Sequence, residues 1–507
     1  MNRPLAILLV VLASFTVACS SGGHGAAPAA SSGSAVTSTT APRPPSDVPV
    51  PSDVTGPVTG GTRGVPYNVV PPDILTAAGY VQEEWFVSGT ARSFASAAPL
   101  TSDGQWTVKP DGGTAAYKTR LLVDRPADPS KFNGVVLVEW LNVTVGRDAD
   151  PDWGFLHPDL TRAGYAWVGV SAQKVGVEGG PGLDVPGVSP VAFYALKEWD
   201  PERYGSLAHP GDQFSYDIFS QAGALVRAGG AVLGGLTPAH VLGTGESQSA
   251  GRMVTYVNGV HPLARVFDGF MIHSRGGSGA PLGADATTSP PTGTTIRVDL
   301  HEPVLIFETE TDYSFLKFGP ARQPDSPSVT TWEVAGTAHV DQSTLDYGIE
   351  SGRVWADAAT SAIDLSSICG LANTGPQRYV ARAALEALRA WAIDGTEPPR
   401  GTPLARDADG NIVRDADGNA VGGIRTPAVD APTSTLSGVG NPSSVFCSLF
   451  GTTVPFTPAQ LAAHYPDHAT YVAAVTKSAD AAVAAGFLLG PDRDEIVATA
   501  EKAAVPA

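Results

Sequence analysis

Charge is sparse in this sequence. Asp, Glu, Lys and Arg make up 16% of its 507 residues, and cations are the scarcer sign, 32 against 50, for a formal net charge of −18. Nucleic acids and anionic bilayers are held through clustered Lys and Arg. The acidic balance therefore argues against both as partners, and it says nothing of fold. Long apolar runs are also missing: Leu5 to Phe15 is too short to span a bilayer comfortably. Cysteine occurs three times, at Cys19, Cys369 and Cys447. The two Asp-Gly-Asn repeats near residue 410 have neither the spacing nor the distal Glu of an EF-hand loop, so no metal is expected there. No organic cofactor is implied either.

The N-terminus has the layout of a targeting segment over residues 1–19. Arg3 precedes the apolar run, and Thr16-Val17-Ala18-Cys19 resembles a lipobox, in which the cysteine is lipidated and becomes the new N-terminus. The alternative is a plain secretory signal cut near Ala18. Both take the mature protein out of the cytoplasm, and the first makes a lipid anchor its one contact with a membrane. Residues 20–64 are rich in Ser, Thr, Pro, Gly and Ala and have few large apolar side chains, so a flexible tether is expected there. Residues 65–507 are expected to form the folded part. Export leaves Cys369 and Cys447, which in an oxidising compartment suit a disulfide better than a metal site; two buried free thiols are the alternative.

What is abundant is alternation of strand-like and helix-like stretches. Tyr80–Val87 and Ala115–Val123 are expected as an early, antiparallel pair. Gly134–Trp140, Tyr165–Val170, Val266–His273, Pro303–Phe307 and Val329–Val334 follow as further strands, Gly134–Trp140 and Tyr165–Val170 reading as buried. Helical periodicity occupies Asp212–Ala228 and Gln377–Ile393, the second with Pro376 before it and Gly395 after it. This alternation predicts an α/β fold, a mainly parallel sheet with helices on both faces. Arg406-Asp407-Ala408-Asp409-Gly410-Asn411 recurs as Arg414-Asp415-Ala416-Asp417-Gly418-Asn419 and is expected as a small insertion of hairpin turns. Two helices are expected in the tail, capped at Thr457 and Asp467.

The stretch from Ala239 to Gly251 carries the chemistry. A short apolar strand runs into Gly245-Glu246-Ser247-Gln248-Ser249 and then into a helix. This is the layout of a nucleophile elbow, G-x-S-x-G with the last glycine replaced by Ser249. Small neighbours are needed because the apex backbone is strained and strand and helix pass close together. A serine hydroxyl needs a base, and the base needs an acid to hold its tautomer. Asp312 follows the strand Val304–Phe307 and is the expected acid, with Glu310 as alternative; a plain acidic surface loop is the non-catalytic reading. His339 follows the strand Val329–Val334 and is the expected base, ahead of His157, His273 and His301. The backbone N–H of Gln248 is expected to face a developing oxyanion. A second donor is expected near Asn142, from Leu141, Asn142 or Val143.

The stretches Gly245–Arg252, Ile272–Gly277, Phe307–Asp312, Trp332–His339, Phe446-Cys447 and Gly486–Leu489 resemble bacterial alpha/beta hydrolase domain-containing proteins of the exported serine-hydrolase type. The resemblance spans residue 65 to the C-terminus. It implies the α/β-hydrolase fold and the triad Ser247, His339 and Asp312, and it leaves the substrate open. A small-molecule carboxylic ester is the expected substrate. The insertions Gln173–Gly211 and Ser274–Glu302 are Gly/Pro-rich and contain no long amphipathic lid, which favours a short or medium acyl chain. An amidase, lactonase or acyltransferase on the same machinery, or a non-catalytic surface-binding protein, are the other classes.

Overall fold

The structure, a computed structural model, describes residues 46–183, 194–355 and 365–506. Cys19, the targeting segment and the tether up to residue 45 lie outside the described residues. Nine strands form one sheet: β1 (Asp53–Thr55), β2 (Tyr80–Ser96), β3 (Val108–Pro126), β4 (Val135–Trp140), β5 (Ala166–Val170), β6 (His240–Glu246), β7 (Gly269–His273), β8 (Val304–Glu308) and β9 (Val329–Glu333). Their order is β1-β2-β3-β5-β4-β6-β7-β8-β9. From β5 to β9 every pairing is parallel, and β1, β2 and β3 extend one edge antiparallel.

The parallel strands are buried along their length, as continuous apolar runs must be when helices cover both faces. Alternate residues serve the two faces. Val136, Val138, Val241, Ile272 and Ile306 pack with Tyr216 and Phe219 of the helix Ser215–Ala228. Leu137, Leu242, Met271 and Leu305 pack with Leu156 of the helix Pro151–Ala163 and Leu385 of the helix Gln377–Asp394. The expected parallel sheet between two helical layers is what is found.

Three details differ from the sequence expectation. The folded chain starts before residue 65. β1 pairs with β2, Ser46 donates to the carbonyl of Ala264, and the N–H groups of Thr62 and Arg63 donate to the Asp200 carboxylate. These contacts are backbone and polar, so a reading keyed to apolar side chains passes over them. β2 and β3 run 17 and 19 residues, well beyond their expected ends. The tail has a third helix, Gly490–Lys502, after Pro458–His464 and His468–Ala484. Its buried face is narrow, Val497 and Ala500, and it is fastened instead by Asp492 on Arg382 at 2.7 Å. The repeats form the expected turns, with Asp407 and Asp415 each accepting backbone N–H groups across the Asp-Gly-Asn step. Their rungs close on one another through Val413 to Ala405, Val421 to Val413 and Ala405 to Val421, each at 2.9 Å.

A two-stranded antiparallel sheet, β10 (Ser434–Ser437) with β11 (Thr452–Pro455), lies in the C-terminal part. Between its strands Cys447 is joined to Cys369 by a disulfide. Among the described residues no group of three or more His, Cys, Asp or Glu is placed to hold a metal ion.

Candidate active site

β6 ends at Glu246 and the helix Gln248–Thr255 begins two residues later. Ser247 makes the turn alone, at φ 62° and ψ −117°. A non-glycine residue with positive φ is strained unless its surroundings hold it. The Ser247 N–H donates to the carbonyl of His273 on β7 at 2.9 Å, and its carbonyl accepts from Gly251 at 3.1 Å. The crossing is tight: a Cβ on Gly245 would sit 3.0 Å from Met253 and 3.2 Å from Ser249. Ser249 exploits the closeness, its hydroxyl donating to the Glu246 carbonyl at 3.0 Å. The turn leaves Ser247 half-buried, with its hydroxyl beyond the sheet edge.

The loops after β8 and β9 arrive at the same edge. Asp312 lies in the short helix Glu310–Ser314, where Thr309 and Asp312 form a capping box. Thr309 donates through its N–H at 2.6 Å and its hydroxyl at 2.8 Å to Asp312 Oδ2, so Oδ1 is free to face His339. The His339 backbone is pinned from the same helix, its N–H donating to Thr311 Oγ1 at 3.2 Å. Asp312 Oδ1 is 2.8 Å from His339 Nδ1, and His339 Nε2 is 2.7 Å from Ser247 Oγ. The structure thus brings Ser247, His339 and Asp312 into one hydrogen-bonded line, two of them fully buried.

Glu310 is not part of that line. Its Oε1 accepts from Gly336 at 2.6 Å, and its Oε2 accepts from Gly438 and pairs with Arg414 at 2.7 Å. It ties the second repeat to the histidine loop. The other histidines are also elsewhere. His273 is enclosed between Asp152 at 2.7 Å and Gln377 at 3.1 Å. His157 is pushed down to about 4 by burial, and His301 is exposed.

Of the backbone N–H groups expected to meet an oxyanion, that of Asn142 is not available. Gln248 is the first residue of its helix, where N–H groups lack an intrahelical acceptor. The Asn142 N–H is consumed by the carbonyl of Ala149 at 2.8 Å and that of Leu141 by Val170 at 3.2 Å. Asn142 acts instead through its side chain, whose Nδ2 donates to the Glu246 carbonyl at 3.0 Å. Of the three candidates, Val143, a buried residue, is the one whose backbone N–H has no bond among the described residues. Sequence alone could not make this choice, because it depends on which neighbours claim each N–H.

One residue at the site was not anticipated. Glu246 Oε1 lies 3.2 Å from His339 Nε2. Burial pushes the Glu246 carboxyl up to about 7, against the pull of His339 and then His273. Burial alone would push the His339 imidazole down; the Glu246 charge, then the hydrogen bond and charge of Asp312, outweigh it and leave the histidine above its ordinary value. The signal was present in the sequence, a glutamate adjoining the apex serine at the end of a strand.

Residues 54–498 match the family described as "Alpha/beta hydrolase domain". No curated protein matches. Solved structures that overlap the chain include a putative dienelactone hydrolase from Klebsiella pneumoniae subsp. pneumoniae MGH 78578, at 13% identity and TM-score 0.27 over 53% of this chain and 98% of that one. One of two fungal esterases from Rhizomucor miehei overlaps at 12% identity and TM-score 0.26, over 57% of this chain and 92% of that one. A dienelactone hydrolase from Anabaena variabilis ATCC 29413 overlaps at 11% identity and TM-score 0.27, over 52% and 100%. Overlaps with scores this low carry no argument, and the family match stands on the sequence.

Proposed function

The chain belongs to the alpha/beta hydrolase domain family, and from that premise we propose that it is a serine-dependent carboxylic ester hydrolase working through Ser247, His339 and Asp312. The observation that carries the reading is the unbroken line of 2.7 Å and 2.8 Å contacts from the strained serine through the histidine to the carboxylate. Ser247 Oγ attacks the acyl carbonyl while its proton passes to His339 Nε2. Asp312 holds the Nδ1–H and keeps Nε2 available. The negative charge that develops on the carbonyl oxygen is met by the N–H groups of Gln248 and Val143. The intermediate then collapses, the ester C–O bond breaks, and the leaving alcohol takes the proton from His339. Water, deprotonated by the same nitrogen, releases the acid and restores Ser247.

The substrate is a small-molecule ester of short or medium acyl chain. The protein works outside the cytoplasm, anchored through lipidated Cys19. Turnover of a chain-length series of p-nitrophenyl esters by wild type and Ser247→Ala tests the chemistry. Wild type is expected to hydrolyse the shorter esters and to take a fluorophosphonate label, and the variant to do neither. A wild type that takes no label points to a binding protein, and one that prefers amides or lactones to esters points to the other acyl-transfer classes. Partition of Cys19→Ala from the membrane fraction to the medium tests the anchor.

A further inference from the structure

The His339 imidazole lies between two carboxylates, one at each nitrogen. Asp312 meets Nδ1 at 2.8 Å and Glu246 meets Nε2 at 3.2 Å, beside the serine oxygen. Glu246 has no Lys or Arg partner among the described residues. Its second oxygen has a long 3.4 Å contact to Asn142 Nδ2. The titratable groups facing the pair come from four elements: His273 from β7, Asp152 from the helix Pro151–Ala163, Asp312 from the loop after β8, and His339 itself from the loop after β9.

We propose that Glu246 is a positioning residue that acts through His339, as a second counter-charge for the imidazolium that forms when Ser247 gives up its proton. The inference rests on the proposed triad. A neutral imidazole turns a lone pair toward Oε1 and gains nothing from a carboxylate there. An imidazolium turns a charge toward it and gains a charge-assisted contact. Because Nε2 becomes protonated as the serine attacks, the interaction is stronger in the transition state than in the resting enzyme, which is the condition for accelerating the step.

The arrangement has a cost at low pH. One proton held by the Glu246–His339 pair idles the site in either location. On His339 it removes the base; on Glu246 it gives a carboxyl O–H that competes with Ser247 for Nε2. The acid limb of activity therefore belongs to the pair, and it lies above the ordinary histidine value of 6.5.

The test is kcat/KM against pH, which reports the free enzyme, for the full chain, using p-nitrophenyl butyrate, in wild type, Glu246→Gln and Glu246→Asp. Glu246→Gln removes the charge and is expected to move the acid limb down by about 1 to 3 pH units while lowering the plateau. Glu246→Asp withdraws the carboxylate by one methylene and is expected to move the limb part of the way. A merely structural role would lower the plateau and leave the limb in place. A limb unmoved in either variant that melts and labels like wild type overturns the proposal, and so does a wild-type limb at or below 6.5. Failure of the wild type to label or to hydrolyse esters refutes the triad reading instead, so the two failures are distinguishable.

Discussion

Val143 shows how finely the site is set at the scale of one residue. Leu141, Asn142 and Val143 follow each other after β4, and the sheet and a turn claim the first two N–H groups through Val170 and Ala149. The third belongs to a buried residue and has no bond among the described residues, which leaves it available to a ligand. Replacing Val143 by proline deletes that donor, and a residue before proline favours the extended backbone that Asn142 has in its bridge to Ala149. Val143→Pro is expected to lower kcat by about 10²–10³ with KM much less affected and the melting temperature nearly retained. A kcat within a few-fold of wild type would remove Val143 from the oxyanion site. Choices of this kind are not written in local sequence. Ser247, Asp312 and His339 were legible because each lies at a characteristic place relative to a strand that its own neighbours define. The open N–H at Val143 and the contact of Glu246 with His339 depend on chain segments far away, and these only the fold brings in.

At the scale of elements, the parallel strands were legible because each is five or more residues long and most are runs of apolar residues. β1 was not: Asp53–Thr55 is three residues with one charged and one small side chain, and its hold on β2 is through the backbone. The last helix was overlooked for a similar reason, since its anchor is an ion pair, not an apolar stripe. The same C-terminal part braces the site. Val340, next to His339, donates to the carbonyl of Leu449 at 3.0 Å, and Asn373 donates to that of Phe450 at 2.8 Å. Gly438 is bonded to both Glu310 and Thr311, two residues and one residue before Asp312. The Cys369–Cys447 bridge closes a span of 78 residues around these contacts, with both sulfur-bearing residues buried. Loss of a native disulfide costs about 2–5 kcal/mol in small domains, and here its local effect falls on the loop that presents the histidine. Cys369→Ser/Cys447→Ser is expected to lose activity several degrees below its own melting temperature, where wild type keeps the two together. Activity and near-ultraviolet circular dichroism followed in one thermal ramp would show it; coincident loss in the variant would mean that the bridge does not brace the site.

The whole molecule is acidic, yet many of its carboxyls are buried, and the consequence for stability has a definite sign. Burial pushes Asp150 up to about 6 and Asp159 and Glu246 up to about 7. Burial also drives Asp124, Glu139 and Glu308 well above the ordinary carboxylate range. Each of these holds a proton in the folded chain over a range where the unfolded chain, with ordinary values of 3.8 and 4.5, has released it. The folded state then binds more protons than the unfolded one, so stability falls as pH rises. The contribution is whole below the unfolded values and is lost as pH climbs through 6 and 7. His339, raised above 6.5, works in the same direction. Two buried histidines oppose it: burial lowers His157 to about 4 and lowers His209 as well, so each withdraws stability as pH drops below 6.5. They are outnumbered, and protonation of exposed acids also relieves self-repulsion in a chain of formal charge −18. On the acid side a different set takes over. Asp200, whose burial is outweighed by the N–H groups of Arg63, Arg203 and Thr62, and Glu178, whose burial is outweighed by Lys197 and the His209 N–H, are both lowered, and their contribution disappears as pH falls below about 4. The melting temperature at constant ionic strength is therefore expected to rise by several degrees from pH 8 to pH 5 and to drop again below pH 4. A melting temperature that climbed steadily from pH 5 to pH 8 would mean that the buried carboxyls ionise in the folded chain at little cost, through water or cations that reach them.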